Sequence, residues 1–308
     1  MNDIIPEDVL KTLEERFGSR FKQHTVGESA SGAKDPIASV FPQSIEEVES
    51  VCRLAARHSI PLVARGAGTA RYPGDSPRGL AVRFDAMRQI RIPEGEAENW
   101  VEVEPGVTWW TLEERLRERG MGPRVYPTSA PRSTVGGWLA ENGIGVGSYE
   151  YGWLLQNGLS VEAVLAGGER SIIEGSEALR HFVGSRGSMG LVVRAWLTTR
   201  RASGDVPVAA LFRDAEDFGK AVVDLDRGGV PLWHLGLLNA AMARRFETGP
   251  LLFGAYPKER ASWVEDALQS VVESHRGDVL PRRVAQRVWE QRFFPASHLG
   301  PTQRPGVG

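Results

Sequence analysis

Arg65-Gly66-Ala67-Gly68-Thr69-Ala70 directly follows the short apolar run Pro61-Leu62-Val63-Ala64, and in such a loop the backbone itself can do chemistry. Glycines at 66 and 68 permit positive φ and close approach, so that successive amide N–H groups can converge on an anion. A diphosphate is the guest that suits it. A dinucleotide loop of the G-x-G-x-x-G kind needs a third glycine and a helix behind it. Here Thr69-Ala70-Arg71 follow, and Tyr72-Pro73-Gly74-Asp75-Ser76-Pro77 is turn chemistry. A glycine pair alone also fits an ordinary tight turn, so its surroundings decide.

Elsewhere the chain offers little for metal or thiol chemistry. None of His24, His58, His181, His234, His275 and His298 has H-x-x-x-H or H-E-x-x-H spacing, so each is expected on the surface or in packing, and no metal is expected. The single cysteine, Cys52, excludes an intramolecular disulfide and an iron–sulfur cluster held by this chain alone. The net charge of −2 and 41% hydrophobic residues argue against a nucleic-acid binder. No apolar run approaches the ~18 residues of a membrane span. Residues 1 to 20 read as a helix, with Pro6 in its first turn and Gly18 as its stop, and not as a signal peptide. The expected location is the cytoplasm, with attachment to a membrane through a partner left open.

The elements that would position the loop are legible on both sides. Ser44 and Glu47 form a capping box ahead of Ile45, Val48, Cys52 and Ala55 at helical spacing. This makes Cys52 a buried small hydrophobe. Downstream, residues 79–84 and 100–106 read as strands, and Thr108 caps a helix that ends at Gly120. The pattern is helix and sheet together, with mixed strands.

Read in order, Pro-x-Ser-x-Glu-Glu-Val (42–48), Pro-Leu-x-x-Arg-Gly-x-Gly-Thr (61–69), Val-Glu-Pro-Gly-Val (103–107) and Ser-Thr-Val-Gly-Gly (133–137) resemble the FAD-binding PCMH-type domain of the vanillyl-alcohol oxidase and p-cresol methylhydroxylase family. The glycolate oxidase and D-lactate dehydrogenase branch is the nearest in pattern. The resemblance continues through residues 142–152, 161–168 and 182–192 and covers roughly residues 36 to 200. It implies that backbone groups of Arg65, Gly66, Ala67, Gly68, Thr69 and Ala70 hold the diphosphate of FAD. It further implies a second FAD loop at Ser129, Thr134, Gly136 and Gly137, a flavin side lined by Asn142, Gly145 and Ser148, and backbone contact near Leu191 and Val192. Each has a plain alternative: Gly136-Gly137 and Gly187-x-x-Gly190 can be turns, and Asn142 can be a turn residue at positive φ.

The departures from the family pattern are specific. Gln156-Asn157 stand where relatives carry an aspartate, and Gly-Ser-Arg-Gly-Ser-Met-Gly (184–190) places Arg186 where they have an acid. No histidine occupies residues 65–75, so the resemblance implies noncovalent FAD. After a linker-like stretch at 200–205, strand 206–212, helix 215–225, strands 235–238 and 251–256, and helix 263–274 resemble the first half of the family's cap, a ferredoxin-like repeat. The fold class expected is therefore α+β: a two-subdomain FAD-binding PCMH-type domain (36–201) after an N-terminal helix and lead-in (1–35), followed by a truncated ferredoxin-like cap (206–300). The relatives' His-x-Gly-Asp-Gly-Asn element has no counterpart, and residues 299–308 read as a loose tail.

Trp289-x-x-Arg292 resembles an element whose guanidinium holds the substrate carboxylate in hydroxy-acid dehydrogenases, a bidentate task. The alternative is a solvated arginine on a helix that already carries Arg282, Arg283 and Arg287. His298 is a weaker candidate for the base. The resemblance thus implies an FAD-linked oxidoreductase acting on a 2-hydroxy acid such as glycolate or D-lactate, delivering electrons to an iron–sulfur or other electron-transfer subunit. A flavin-binding or structural subunit without independent catalysis is the alternative from another class. UDP-N-acetylenolpyruvoylglucosamine reductase, of similar length, is set aside because the chain has no Tyr-Arg-x-Ser tetrapeptide.

Overall fold

The structure is a computed structural model and describes residues 5–24, 36–68, 79–94, 99–202 and 204–293. Thr69, Ala70, residues 71–78, His298 and residues 299–308 lie outside the described residues. In chain order the first elements are α1 (Glu7–Phe17), β1 (Phe21–Gln23), β2 (Ala38–Val40), α2 (Ile45–Arg57), β3 (Leu62–Arg65), β4 (Leu80–Arg83), β5 (Ile90–Arg91) and β6 (Trp100–Val103). Then come α3 (Trp109–Arg117), β7 (Met121–Pro123), α4 (Val135–Leu139), α5 (Ser148–Tyr151), β8 (Gly158–Val164), β9 (Arg170–Glu174), α6 (Ser176–Phe182) and β10 (Leu191–Arg201). The last are β11 (Asp205–Leu211), α7 (Ala215–Arg227), β12 (His234–Leu238), α8 (Ala240–Ala243), β13 (Leu251–Pro257), α9 (Ala261–Ser274), β14 (Asp278–Val279) and α10 (Arg282–Glu290).

The chain forms two compact units that interleave in sequence. The first comprises residues 1–115, 130–143 and 154–199; the second comprises 116–129, 144–153 and 200–308. The second unit thus takes two short inserts from within the segment that the sequence assigns to the FAD domain.

The first unit holds two sheets. One has the order β1-β2-β4-β3, with β2, β4 and β3 parallel and β1 antiparallel. The other runs β5-β6-β10-β8-β9, antiparallel throughout. Helix α2 begins where its capping signal stands: Ser44 Oγ accepts the Glu47 N–H at 3.3 Å. The return arm differs from the usual box, because the Glu47 carboxylate takes the Gln43 N–H at 2.8 Å and pairs with Arg20. That hydrogen-bonded guanidinium holds the Glu47 carboxyl below the usual range. The apolar face of α2, Val48, Val51, Cys52 and Ala55, packs with Val9, Leu13 and Phe17 of α1 against Val40, Leu80 and Val82. Cys52 is buried there, and burial pushes its thiol up to about 11, which leaves it inert at neutral pH. Thr108 Oγ1 accepts the Thr111 N–H at 3.2 Å and starts α3, which ends at Arg117, three residues short of Gly120.

The second unit contains a sheet in the order β12-β13-β11-β14, antiparallel throughout. With α7 and α9 this is the β-α-β-β-α-β succession of a ferredoxin-like repeat. The sequence shows five of those six elements; β14, two residues long, is too short to carry a pattern. Val206, Ala210, Leu252 and Tyr256 of the sheet pack against Leu225 of α7 and Val264, Leu268 and Val272 of α9. Helix α10 packs on β11 and β13 through Ala285, Val288 and Trp289. Among the described residues no helix is long and apolar enough to cross a membrane, and no three His, Cys, Asp or Glu side chains converge as metal ligands would.

Candidate functional site

Three loops meet in the first unit. The chain leaves β3 at Arg65, and Gly68 adopts φ +67°. Gly66 lies against the second loop so closely that a Cβ there would stand 2.5 Å from Thr134 Oγ1 and 3.4 Å from the Gly137 Cα. Thr134 caps α4, its hydroxyl accepting the Gly137 N–H at 3.3 Å. The Val135 and Gly136 N–H groups donate to Val107 and Pro105 carbonyls at 2.8 and 3.0 Å. A Cβ on Gly136 would meet the Pro105 Cβ at 2.6 Å. The second loop therefore spends these donors on its own structure, and what it offers a ligand is close approach of bare backbone.

The third loop is the 184–190 turn, built on positive φ at Gly184, Arg186, Gly187 and Gly190. It is docked on the end of α4: the Gly184 and Arg186 N–H groups donate to the Leu139 and Ala140 carbonyls at 2.9 and 3.0 Å. A Cβ on Gly187 would stand 3.3 Å from the Ala64 Cβ, beside the first loop. Arg186 sits at φ +54° in this turn, the left-handed region that glycine favours. Asn142 also has positive φ, +48°, as its turn reading expects, and its carboxamide oxygen accepts the Leu155 N–H at 3.1 Å. Leu191 and Val192 open β10 and pair with Val164 and Ala163 of β8.

The remaining predicted residues fall in the second unit. Ser129 lies in a turn and is half-buried. Gly145 and Ser148 form a local turn, with Ser148 Oγ accepting the Gly145 N–H at 2.9 Å. A Cβ on Gly145 would lie 2.2 Å from the Tyr126 carbonyl oxygen, so glycine there lets the chain pair Tyr126 with Val146.

Arg292 follows α10 and is buried, 7% exposed, which overturns the solvated alternative. Its Nε donates to Tyr126 Oη at 2.9 Å and its Nη1 to the Trp289 carbonyl at 2.9 Å. The guanidinium carbon lies 4.2 Å from the Phe293 ring centre and 4.4 Å from that of Trp289, a cation–π setting that also removes water. Behind Trp289 stand three residues that the sequence does not single out. Trp233 packs edge-on to Trp289 at 5.7 Å and donates its indole N–H to the Arg124 carbonyl at 3.0 Å. Arg200 stacks on Trp233 with its guanidinium carbon 3.3 Å from the ring centre and forms a two-pronged ion pair with Asp205, which Arg117 joins. His234 is fully buried against Phe253 and Trp289, and its Nδ1 accepts the Gly147 N–H at 3.3 Å. Burial, with the positive charge of Arg292, pushes the imidazole down to about 3. The ring is therefore neutral with its proton on Nε2.

Residues 36–173 match the family model described as an FAD binding domain. The chain is 31% identical over 170 residues to the glycolate oxidase subunit GlcD of Bacillus subtilis, covering 52% of this chain and 36% of that protein. It is 30% identical over 216 residues to a D-lactate dehydrogenase of Archaeoglobus fulgidus, covering 66% and 48%. In fold, it superimposes on an alkyldihydroxyacetonephosphate synthase with a TM-score of 0.77 at 18% identity, over 94% of this chain and 64% of that one. The chain spans half or less of the length of these curated relatives.

Proposed function

From the FAD-binding domain of the PCMH type that residues 36–173 form, we propose an FAD-dependent oxidoreductase that oxidises a small 2-hydroxy acid of the glycolate or D-lactate class. The observation that carries it is the match of residues 36–173 to an FAD binding domain, to which the first unit adds three converging glycine-built loops, with Gly66 against Thr134 and Gly137, and Gly187 against Ala64. Backbone groups of Arg65 to Gly68 would hold the diphosphate, with the Thr134 hydroxyl and the bare backbone of Gly137 beside it. When bound, the flavin supplies the two-electron acceptor for a hydride equivalent from the substrate Cα.

The chain's own contribution to substrate binding is the Arg292 guanidinium. A carboxylate taken bidentate by it is oriented as well as bound, because the guanidinium is already held at Nε and Nη1. The aromatic walls of Trp289 and Phe293 keep water from competing for that charge. His234 is not the base for the substrate hydroxyl, since its Nδ1 lone pair is already engaged by Gly147.

The reading extends to a separate electron-transfer subunit, to which the reduced flavin would pass its electrons. Glycolate oxidase is itself assembled from subunits, as the name of the Bacillus subtilis relative states. The test is the visible spectrum of the FAD-loaded protein before and after anaerobic addition of glycolate or D-lactate. Bleaching of the flavin absorbance is the expected result. A flavin that stays oxidised with these and related hydroxy acids overturns the reading in favour of a flavin-binding subunit without catalysis of its own.

A further inference from the structure

We infer that Tyr126 is a positioning residue for Arg292, fixing the plane in which the guanidinium meets a carboxylate. The inference rests on the substrate-anchoring role proposed for Arg292. Tyr126 is 1% exposed, and a buried phenol oxygen and a buried guanidinium each incur a desolvation cost unless bonded. The 2.9 Å bond from Arg292 Nε to Tyr126 Oη meets part of that cost for both.

Tyr126 is well suited to act as a fixed post. Its backbone is locked by two reciprocal hydrogen bonds to Val146, of 3.0 and 2.8 Å. The absence of a side chain at Gly145 is what permits that pairing. Its ring is held between Trp233 at 6.1 Å and Phe293 at 6.2 Å. The oxygen therefore has one position available. With Nε on Tyr126 and Nη1 on the Trp289 carbonyl, rotation about the Cδ–Nε bond and swinging of the arginine stem are both blocked. A carboxylate that meets the guanidinium then does so in a fixed plane. An arginine held only by ring stacking could slide over the faces of Trp289 and Phe293, so the phenol supplies the orientation that cation–π contacts lack.

The experiment is a binding titration of the FAD-loaded protein with oxalate, a dicarboxylate without a Cα–H to give up, followed by the fluorescence of the neighbouring tryptophans. For Tyr126→Phe, which keeps the ring and removes the acceptor, the oxalate Kd is expected to rise about tenfold, the loss of one hydrogen bond to a charged group. With hydroxy acid as substrate, KM should rise in parallel while kcat changes less than about threefold. In an Arg292→Lys background, which has no Nε donor, Tyr126→Phe should have no further effect on oxalate binding. Fluorotyrosine placed at 126, which weakens the acceptor while nearly keeping the shape, should shift the Kd in the same direction and serves if the phenylalanine variant does not fold. Native protein that binds oxalate, with either substituted protein binding it equally well, overturns the inference and leaves the anchoring role of Arg292 standing. Native protein that neither binds oxalate nor is reduced by hydroxy acids overturns the anchoring role and the inference with it.

Discussion

The glycine loops of the first unit and the arginine cluster of the second are built on opposite principles. At the loops, what is needed is the absence of side chains: Gly66 and Gly137 bring bare backbone together around Thr134, and Gly184, Gly187 and Gly190 turn the chain where most residues would be strained. At the cluster, what is needed is bulk: Trp289, Phe293 and Tyr126 surround Arg292, with Trp233 packed behind them, and leave it few directions in which to move. A cofactor common to many enzymes can be held by backbone, which every sequence carries. A particular substrate group is held by a charge, and a buried charge has to be walled in and bonded.

The comparison can be broken from either side. Arg292→Lys keeps the charge but loses the planar fork, and kcat/KM for a hydroxy acid should fall about 100-fold, the scale of two charge-assisted hydrogen bonds, with FAD affinity unchanged. If FAD affinity drops as well, the two regions are not functionally separate. Gly66→Ala places a methyl 2.5 Å from Thr134 Oγ1, so either the α4 cap or the loop must shift. The Kd for FAD should rise at least about tenfold while oxalate binding to the second unit persists.

A third prediction concerns His234 and sharpens the claim that the cluster is a dry interior. Its folded value is pushed below that of an unfolded histidine, to about 3, so between about pH 6.5 and 3 the unfolded chain binds the extra proton. Stability from this residue is complete above about pH 6.5 and is lost as pH falls towards 3. His234→Asn keeps an acceptor for Gly147 and removes the titration. It should cost about 1–2 kcal/mol at neutral pH through lost ring packing, yet denaturant unfolding should show a flatter decline in acid than native protein does. Equal slopes would mean the ring is wet. The smallest effect belongs to the scaffold: Ser44→Ala should lower stability by about 1 kcal/mol through loss of the α2 cap, and neither FAD nor oxalate affinity should follow.

The same contrast explains what was legible in the sequence. The glycine pair at 66 and 68 marks a turn, the capping residues Ser44 and Thr108 mark the helices around it, and the ordered family pattern is what joins 65–68 to 134–137. The elements of the ferredoxin-like repeat were equally readable from apolar periodicity, except β14, whose two residues carry none. The arginine cluster was only half visible. Arg292 was singled out by its Trp-x-x-Arg setting, but its neighbours Tyr126, Trp233 and His234 come from distant segments and have no local pattern. A buried aromatic wall reads, in sequence, like any core. Gly145 and Ser148 enter through the family resemblance alone; in the structure the glycine clears the Tyr126 carbonyl and the serine closes a turn.

The central claim is that this fold holds FAD through the glycine loops, and equilibrium titration of the flavin-free protein with FAD, followed by quenching of flavin fluorescence, addresses it most directly. Saturable binding of one FAD per chain, weakened in Gly66→Ala, is the result expected. A folded native protein that takes up no FAD, or a Gly66→Ala variant that binds it as tightly as native, would contradict the account.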